Sequence, residues 1–324
     1  MKCINKLITV ILTLSLVICL TGCKKADTSY DVYETSNSYG LIQGDYSSSS
    51  HLFSTDLAVT DSTNIGTDTV DSQVASGAGV FNLSTKEVTY SQNIFEKLYP
   101  ASTTKILTAY VALKYGDLDQ KITVSENACN QASDSSVANL KPGDVMTLRD
   151  LLYGLMLRSG NDAAIAIAEG ISQDVDSFVE LMNQEATALG AVNSHFVTPN
   201  GLHDEDHYTT VYDMYLIFNA AIQNDDFRTI IQTTTYNVFY KTSDGTDTSQ
   251  TWNTTNYYLL GKETAPSGIT VIGGKTGTTG EAGYCLVLLS KNEQNQQIIS
   301  IVFDADARTN LYYLMNEILN LYGE

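Results

Sequence analysis

The sequence predicts an α/β fold of the α+β type, with one antiparallel sheet covered by helices and a helical lobe in the middle of the chain. Runs typical of β-strands lie at residues 79–90 and 283–303, near the two ends of the region with globular composition. Between them, apolar residues recur at helical spacing over several segments. Terminal strands with helices between them favour a single sheet against which those helices pack.

Each of the two strand-forming regions is predicted to be a hairpin. The first has strands over residues 79–83 and 87–90 around a short polar turn. The second has strands over residues 283–289 and 297–303, also joined by a polar segment. A helix over residues 309–321 is predicted to follow the second hairpin.

One helix is predicted to begin at the segment Tyr99-Pro100-Ala101-Ser102-Thr103-Thr104-Lys105. Proline suits the first turn of a helix, because its missing N–H is no loss there and its φ is already set. We therefore expect Ser102 and Lys105 in the opening turns of one helix, where residues three apart share a face. The N-terminal dipole of that helix favours developing negative charge.

A second helix is predicted over residues 148–157, with Thr147 as its N-cap. This helix delivers the triplet Ser159-Gly160-Asn161 at its end. Residues 162–169 are rich in Ala and Ile, and a further amphipathic helix is predicted over residues 175–189.

The first 23 residues have the pattern of an export signal. Lys2 and Lys6 precede an apolar run from Leu7 to Leu20, which is too short to span a bilayer. The run ends in Leu20-Thr21-Gly22-Cys23, which resembles a bacterial lipobox. That resemblance implies a signal peptide over residues 1–22 and lipid attachment at Cys23, on the outer face of the bacterial cell membrane. A plain secretory signal that contains a cysteine is the alternative.

Residues 23–75 are rich in Ser, Thr, Asp and Gly, and they show no sustained periodicity. Such a composition buries too little apolar area to offset the conformational entropy of folding, so it predicts a disordered tether. The folded domain is accordingly expected over residues 76–324. The net charge of −19 argues against a nucleic-acid partner, which requires a basic surface. Two cysteines, Cys129 and Cys285, fall in the predicted folded domain. They could form a disulfide with each other or remain as two free thiols.

Three short patterns carry the chemistry: Ser102-x-x-Lys105, Ser159-Gly160-Asn161 and Lys275-Thr276-Gly277. A single Ser-x-x-Lys is typical of an ordinary helix start with a solvated lysine. The three patterns in this order, however, are the signature set of penicillin-binding proteins and serine β-lactamases. With the longer segments around them and Pro199-Asn200-Gly201-Leu202, the chain resembles the D-alanyl-D-alanine carboxypeptidase family, the low-molecular-weight penicillin-binding proteins of serine peptidase type S11.

The resemblance implies a β-lactamase/transpeptidase-like fold and a serine-type D-Ala-D-Ala carboxypeptidase. Its substrate would be a peptidoglycan stem peptide ending in D-Ala-D-Ala, and β-lactam antibiotics would be covalent inhibitors. Ser102 would attack the carbonyl between the two D-alanines, and Lys105 would act as its base. Burial and the nearby cation of Lys275 would depress the pKa of Lys105. Ser159 would relay a proton to the leaving amine.

The remaining positions of the three patterns would bind substrate. Asn161 would hold the peptide amide, and Lys275 and Thr276 would receive the terminal carboxylate. Gly277 would leave space for the substrate backbone, and the backbone N–H groups of Ser102 and Thr278 would form the oxyanion hole. Arg308 would help to neutralise the terminal carboxylate. The alternative interpretation is that Arg308 is a surface residue at the start of a helix with no role in binding.

No cofactor and no metal are expected. His195, His203 and His207 lie close together in sequence, with the last two at i and i+4. However, Pro199-Asn200-Gly201 predicts a loop there, so that spacing need not bring the two rings to one face.

Three alternative functions remain open. A D,D-endopeptidase acting on cross-links would use the same residues. A class A β-lactamase would require a Glu-x-x-Leu-Asn pentad between the second and third patterns, and none occurs between Ser159 and Lys275. A β-lactam sensor would become acylated and stay acylated.

Overall fold

The computed structural model describes residues 55–324. The helical segments, with α1 to α8 numbered in chain order, are α1 Lys105–Tyr115, α2 Glu126–Cys129, α3 Leu148–Leu157, α4 Asn161–Ser172, α5 Val175–Ala188, α6 Val211–Ala221, α7 Asp225–Gln232 and α8 Arg308–Tyr322. The strands are β1 Ala75–Asn82, β2 Glu87–Gln92, β3 Lys121–Thr123, β4 Val145–Thr147, β5 Thr235–Lys241, β6 Asp247–Asn253, β7 Thr270–Thr279, β8 Gly283–Lys291 and β9 Gln297–Ala305. The predicted α+β class is confirmed.

The main sheet has five antiparallel strands in the order β2-β1-β9-β8-β7. Both predicted hairpins are present in it, as β1–β2 and β8–β9, and they pair through β1 and β9. The strand that carries Lys275 and Thr276, β7, is the outer strand of this sheet. An outer strand has one edge without a neighbouring strand, so its backbone groups there are free to pair with an extended ligand.

Helices cover both faces of the main sheet. Helix α8 packs on one face, where Leu311, Leu314 and Ile318 are buried against β-strand residues. The larger core on the other face includes α1, α3, α4 and α6. The predicted terminal helix and the predicted helical lobe are therefore confirmed. Among residues 55–324, no helix combines the length and apolar character that a membrane span needs.

A second sheet, with strand order β3-β4-β5-β6, was not predicted. Of its longest strands, β5 buries two side chains, Val238 and Tyr240, and β6 buries one, Trp252. The hydrophobic alternation that identifies a half-buried strand is therefore weak in this part of the sequence.

The segment before β1 corrects the predicted tether. Residues 55–75 pack on the domain: Ala58 is fully buried and its backbone N–H donates to the Tyr215 hydroxyl at 2.8 Å. Ile65 also pairs with Ser91 as an isolated bridge. Backbone hydrogen bonds of this kind are independent of side-chain hydropathy, which is why composition did not reveal them. The rest of the predicted tether, the signal peptide and Cys23 lie outside the described residues.

Candidate active site

Ser102 lies in a single 3-10 turn, Ala101–Thr104, which leads directly into α1 at Lys105. Both residues thus lie in the opening turns of one continuous helical segment, as predicted, and the turn at Ser102 has the tighter 3-10 form. The Thr103 hydroxyl and N–H both donate to the Pro100 carbonyl, at 2.7 and 3.1 Å, which stabilises the tighter turn. The turn places the Ser102 hydroxyl 2.9 Å from the Lys105 Nζ.

The amine of Lys105 is fully buried and has three oxygen partners. Besides Ser102 Oγ, these are the side-chain oxygen of Asn161 at 2.9 Å and the backbone carbonyl of Asn200 at 2.5 Å. The last two atoms can only accept hydrogen bonds. When the amine is neutral, its two N–H groups point at these acceptors, and its lone pair is left facing the Ser102 hydroxyl. The site therefore directs the base at the nucleophile.

The pKa of Lys105 is lowered well below its ordinary value. Burial is the main cause, and the nearby charge of Lys275 is the second; the Asp162 carboxylate opposes both. This confirms the expectation that burial and Lys275 depress the pKa of Lys105. A lowered pKa makes the neutral amine, the form that can accept a proton, accessible near neutral pH.

A second serine–lysine pair faces the first. Lys275 is buried, and its Nζ donates to Ser159 Oγ at 2.9 Å and to the Thr276 carbonyl at 2.7 Å. Burial lowers the pKa of Lys275 from 10.5 to about 7. Because Ser159 Oγ accepts from Lys275, its own proton remains free for an acceptor in the cleft.

Ser159 lies between α3 and α4 with a φ of 56°, a left-handed conformation that is uncommon for residues other than glycine. Helix α3, which precedes it, starts with a complete capping box of Thr147 and Asp150, in agreement with the predicted N-cap. Two backbone hydrogen bonds flank Ser159. At the end of α3, the Gly160 N–H donates to the Gly154 carbonyl at 3.1 Å. At the start of α4, the Asn161 N–H donates to the Ser136 carbonyl at 2.8 Å. Strain of this kind persists only where the surrounding structure imposes it.

Asp162, which follows Asn161, was missed by the sequence analysis. Its buried carboxylate accepts the backbone N–H groups of Ala138, Leu140 and Ala163, at 2.8, 3.0 and 2.8 Å. These bonds fix the loop before β4 to the start of α4, next to Ser159. An acid in the first turn of a helix is a recognisable signal, but its loop partners are not visible in sequence.

His207 was considered as a metal ligand, and the structure gives it another environment. Its Nδ1 accepts from the N–H groups of Val197 and Thr198, at 3.1 and 3.3 Å, so Nε2 carries the hydrogen and donates to Thr104 Oγ1 at 2.8 Å. Burial lowers the pKa of His207 to about 4. His207 thus ties the loop that presents the Asn200 carbonyl to the turn that presents Ser102.

The other two histidines lie elsewhere: His195 Nδ1 bonds the Asp206 carbonyl, and His203 packs edge-on against Tyr99. In residues 55–324, no three His, Cys, Asp or Glu side chains are grouped so as to hold a metal ion. Cys129 and Cys285 are both free thiols.

The absence of a side chain at Gly277 also matters for packing within the protein. A Cβ at this position would lie 2.9 Å from the Pro100 carbonyl and 3.1 Å from the Ser102 backbone nitrogen. The missing side chain therefore allows β7 to pack against the turn that carries the nucleophile. That Gly277 also leaves space for the substrate backbone stays a prediction.

We expect Gly277→Ala to lower kcat/KM by about 100-fold, because a small displacement of the nucleophile is costly. The thermal unfolding transition should shift far less than the activity. Gly280→Ala is the matched control, since a Cβ there meets nothing within 4 Å. Steady-state kinetics and thermal melts of the two variants test this, and equal kinetics in both would contradict it.

A cleft of about 360 Å³ opens in front of these groups. Six of the predicted site residues line it: Ser102, Ser159, Thr276, Gly277, Thr278 and Arg308. The other three, Lys105, Asn161 and Lys275, are buried at the back of the site. The Thr276 hydroxyl pairs with that of Thr255 at 2.6 Å, and the Arg308 guanidinium donates to the Tyr257 hydroxyl at 2.8 Å. Thr255 and Tyr257 were not predicted.

The fold and these two serine–lysine pairs define the class of serine acyl-transfer enzymes that use lysine as the base. The model of the family described as D-alanyl-D-alanine carboxypeptidase, peptidase S11, matches residues 65–307. The chain belongs to this family.

Two curated relatives and one solved structure illustrate the similarity. D-alanyl-D-alanine carboxypeptidase DacF of Bacillus subtilis is 34% identical over 236 residues, which cover 71% of this chain and 57% of DacF. D-alanyl-D-alanine carboxypeptidase of Streptomyces sp. strain K15 is 37% identical over 224 residues, covering 66% of this chain and 75% of the relative. The crystal structure of the Streptomyces K15 DD-transpeptidase is 33% identical, with a TM-score of 0.69, and the match covers 81% of this chain and 100% of that structure. The chain thus spans little more than half the length of DacF.

Proposed function

We propose that this chain is a serine D-alanyl-D-alanine carboxypeptidase that removes the terminal D-alanine from peptidoglycan stem peptides. The observation that carries the proposal is the environment of Lys105, whose neutral amine has its lone pair directed at Ser102 by two acceptor-only partners. Family membership supports the choice of substrate.

In the acylation step, Ser102 Oγ forms a bond to the carbonyl carbon of the penultimate D-alanine while its proton passes to Lys105. The C–N bond then breaks, and the leaving amine takes the Ser159 proton. Ser159 regains a proton from Lys275, its 2.9 Å partner. The step ends with Lys105 protonated and Lys275 neutral, and the lowered pKa values of both lysines make these states accessible.

Deacylation is the reverse sequence with water in the place of the amine. Water gives its proton through Ser159 to the neutral Lys275 and attacks the ester carbonyl. The ester C–O bond breaks, and the protonated Lys105 returns its proton to Ser102 Oγ. The shortened peptide leaves as a carboxylic acid, which then loses its proton to solvent as a carboxylate, and the resting enzyme, with neutral Lys105 and protonated Lys275, is restored.

The terminal carboxylate of the substrate would bind at Thr276 and Arg308, both of which line the cleft beside Ser102. The N–H groups of Ser102 and Thr278 would stabilise the oxyanion. β-Lactams would acylate Ser102 as substrate mimics. A class A β-lactamase is disfavoured by the lining of the cleft in the described part of the chain, which holds no acidic side chain to activate a deacylating water.

A D,D-endopeptidase is the second candidate. The cleft of about 360 Å³ is also lined by Leu260, Lys262 and Leu311, and its volume would accommodate a leaving group larger than alanine. Cleavage of a cross-linked peptide would use the same acyl-enzyme. A β-lactam sensor would differ only in failing to deacylate.

We also propose that Cys23 carries the lipid that holds the enzyme on the outer face of the cell membrane. The proposal rests on the segment Leu20-Thr21-Gly22-Cys23, which lies outside the described residues. Two or more acyl chains give the stable anchoring that a single chain does not. Mass spectrometry of the mature N-terminus tests it: an unmodified N-terminus other than Cys23 would contradict it.

The proposed activity is tested by incubating the purified full chain with a peptide ending in D-Ala-D-Ala and measuring free D-alanine. The expected result is release by the wild type and none by Ser102→Ala. A cross-linked dimeric peptide, tested in parallel, distinguishes the endopeptidase. Persistent release by Ser102→Ala would refute the acyl-enzyme, and absence of release by the wild type would refute the hydrolase.

A further inference from the structure

We propose that the cleft includes a subsite for a leaving residue that carries a second carboxylate, with Lys262 as its recognition residue. This inference rests on the proposed function, because it concerns the residue that Ser102 acylation expels. It adds a specificity that neither the family nor the signature patterns assign.

The first observation is the charge of the cleft. The chain has 37 acidic and 18 basic residues, with a net charge of −19. Even so, the residues that line this cleft within the described part of the chain include two cations, Lys262 and Arg308, and no acid. The nearby Glu263 does not line the cleft. A cationic cleft in an acidic protein concentrates anionic ligands at that one place.

The second observation is that both cations lie over the same aromatic ring, that of Tyr257. Lys262 Nζ lies 5.0 Å from the centroid of the Tyr257 ring, and the Arg308 guanidinium carbon lies 5.5 Å from the same centroid. Cation–π contacts of this length hold a cation in place without neutralising it. Among the described residues, neither cation has a carboxylate oxygen within 4.0 Å.

The Tyr257 ring is itself held in place by its neighbours. Tyr257 stacks on Tyr312 with the ring centroids 5.3 Å apart and the planes 10° apart, and its N–H donates to the Tyr312 hydroxyl at 3.2 Å. The Lys262 N–H donates to the Tyr257 carbonyl at 2.9 Å, which closes the turn between them. Lys262 is therefore presented by an ordered turn.

The third observation is that Arg308 and Lys262 line the same cleft and both lie over the Tyr257 ring, with Leu260 and Leu311 also in the lining. The carboxylate that ends the substrate, proposed to bind at Arg308, belongs to the leaving residue. A side chain of that residue that carries a second anion would therefore be within the same lining as Lys262. Alanine fills little of this space. A dicarboxylic D-amino acid places one carboxylate at Arg308 and its second at Lys262.

The test uses three acylated peptides that differ only in the last residue: D-Ala-D-Ala, D-Ala-D-Glu and D-Ala-D-Lys. D-Glu and D-Lys are both longer than alanine and have opposite charge. For the wild type we expect kcat/KM for the D-Glu peptide to exceed that for the D-Lys peptide by about fivefold to tenfold, as for a partly exposed charge pair. Lys262→Glu should bring this ratio below one, mainly through KM.

Lys97→Glu is the matched control. Lys97 also lies over a tyrosine ring, 3.9 Å from the centroid of Tyr208, but it does not line the cleft. The control makes the same change in net charge and removes the same kind of contact. It should leave the D-Glu to D-Lys ratio as in the wild type. A ratio near one in the wild type, or an unchanged ratio in Lys262→Glu, would overturn the subsite.

A second measurement separates this inference from the proposed function. The same peptides are used to compete with a fluorescent penicillin for Ser102, which requires binding but no turnover of the peptide. Stronger protection by the D-Glu peptide than by the D-Lys peptide, lost in Lys262→Glu, supports the subsite even if no residue is released. Equal protection overturns the subsite even if D-alanine is released.

Discussion

Lys105→Met is expected to reduce the rate of Ser102 acylation by about 10²- to 10⁴-fold, the usual contribution of a general base. Methionine fills similar space and carries no base, and its apolar side chain suits a fully buried position. The fold should therefore persist. Stopped-flow acylation by a fluorescent penicillin, together with circular dichroism, measures both effects.

Lys105→Arg tests whether Lys105 acts as a base or only through its positive charge. Arginine keeps the positive charge but does not become neutral at accessible pH, so it cannot accept the Ser102 proton. If charge alone stabilised the transition state, Lys105→Arg would retain much of the activity that Lys105→Met loses. We expect both to be inactive, with Lys97→Met as the surface control at wild-type rate. Retention of more than a tenth of the rate in Lys105→Met would contradict the assignment of the base.

Lys275→Met is expected to have the second large effect, a shift of the acid limb of the pH–rate profile to higher pH. The charge of Lys275 lowers the pKa of Lys105. Removing that charge raises the pKa of Lys105, so at a given pH less of the base is neutral. The pH dependence of kcat/KM for acylation reports this pKa in the free enzyme. An unchanged acid limb, or a shift of that limb to lower pH, would contradict the proposed effect of the Lys275 charge on the pKa of Lys105.

The same variant should be more stable than the wild type. The pKa of Lys275 is about 7 in the folded protein and 10.5 ordinarily, so between these values the unfolded chain binds more protons. The contribution of Lys275 to the free energy of unfolding therefore rises with pH between about 7 and 10.5, and it is lowest at pH 7 and below. Lys275→Met removes the free-energy cost of burying the charged amine, which is about 1 to 4 kcal/mol by analogy with other buried charges. Urea unfolding of both proteins at pH 6 and pH 9.5 tests this: the gain should be larger at pH 6.

A stability gain with an activity loss would mark Lys275 as a residue retained for catalysis. Active sites often hold groups that are unfavourable for folding, because their pKa must be perturbed to work. A loss of stability in Lys275→Met would instead indicate that its bonds to Ser159 Oγ and the Thr276 carbonyl stabilise the fold.

Much of the architecture could be predicted because local signals agree with the fold. Helix α3 begins at Thr147 as predicted, since the capping residue and the apolar periodicity mark the same boundary. The β8–β9 hairpin is equally clear, because both strands are nearly continuous apolar runs. The β5–β6 hairpin was missed because most of its side chains are exposed.

The site was predictable where short sequence patterns mark its residues and not where the fold alone brings groups together. Ser102, Lys105, Ser159 and Lys275 are visible in the sequence as short patterns. The carbonyl of Asn200, which directs the Lys105 amine, has no residue type that could reveal it. His207 was visible, but its role depends on two backbone N–H groups brought to it by the fold. The close approach of Gly277 to the 3-10 turn at Ser102 is likewise visible only in the fold.

The central claim is that Ser102 is the nucleophile of a serine–lysine acyl-transfer site. The most direct test is to react the full-length protein with benzylpenicillin, digest it and locate the adduct by mass spectrometry. The account predicts one adduct, on Ser102, absent from Ser102→Ala and strongly reduced in Lys105→Met. An adduct on Ser159, or one that persists unchanged in Ser102→Ala, would contradict it.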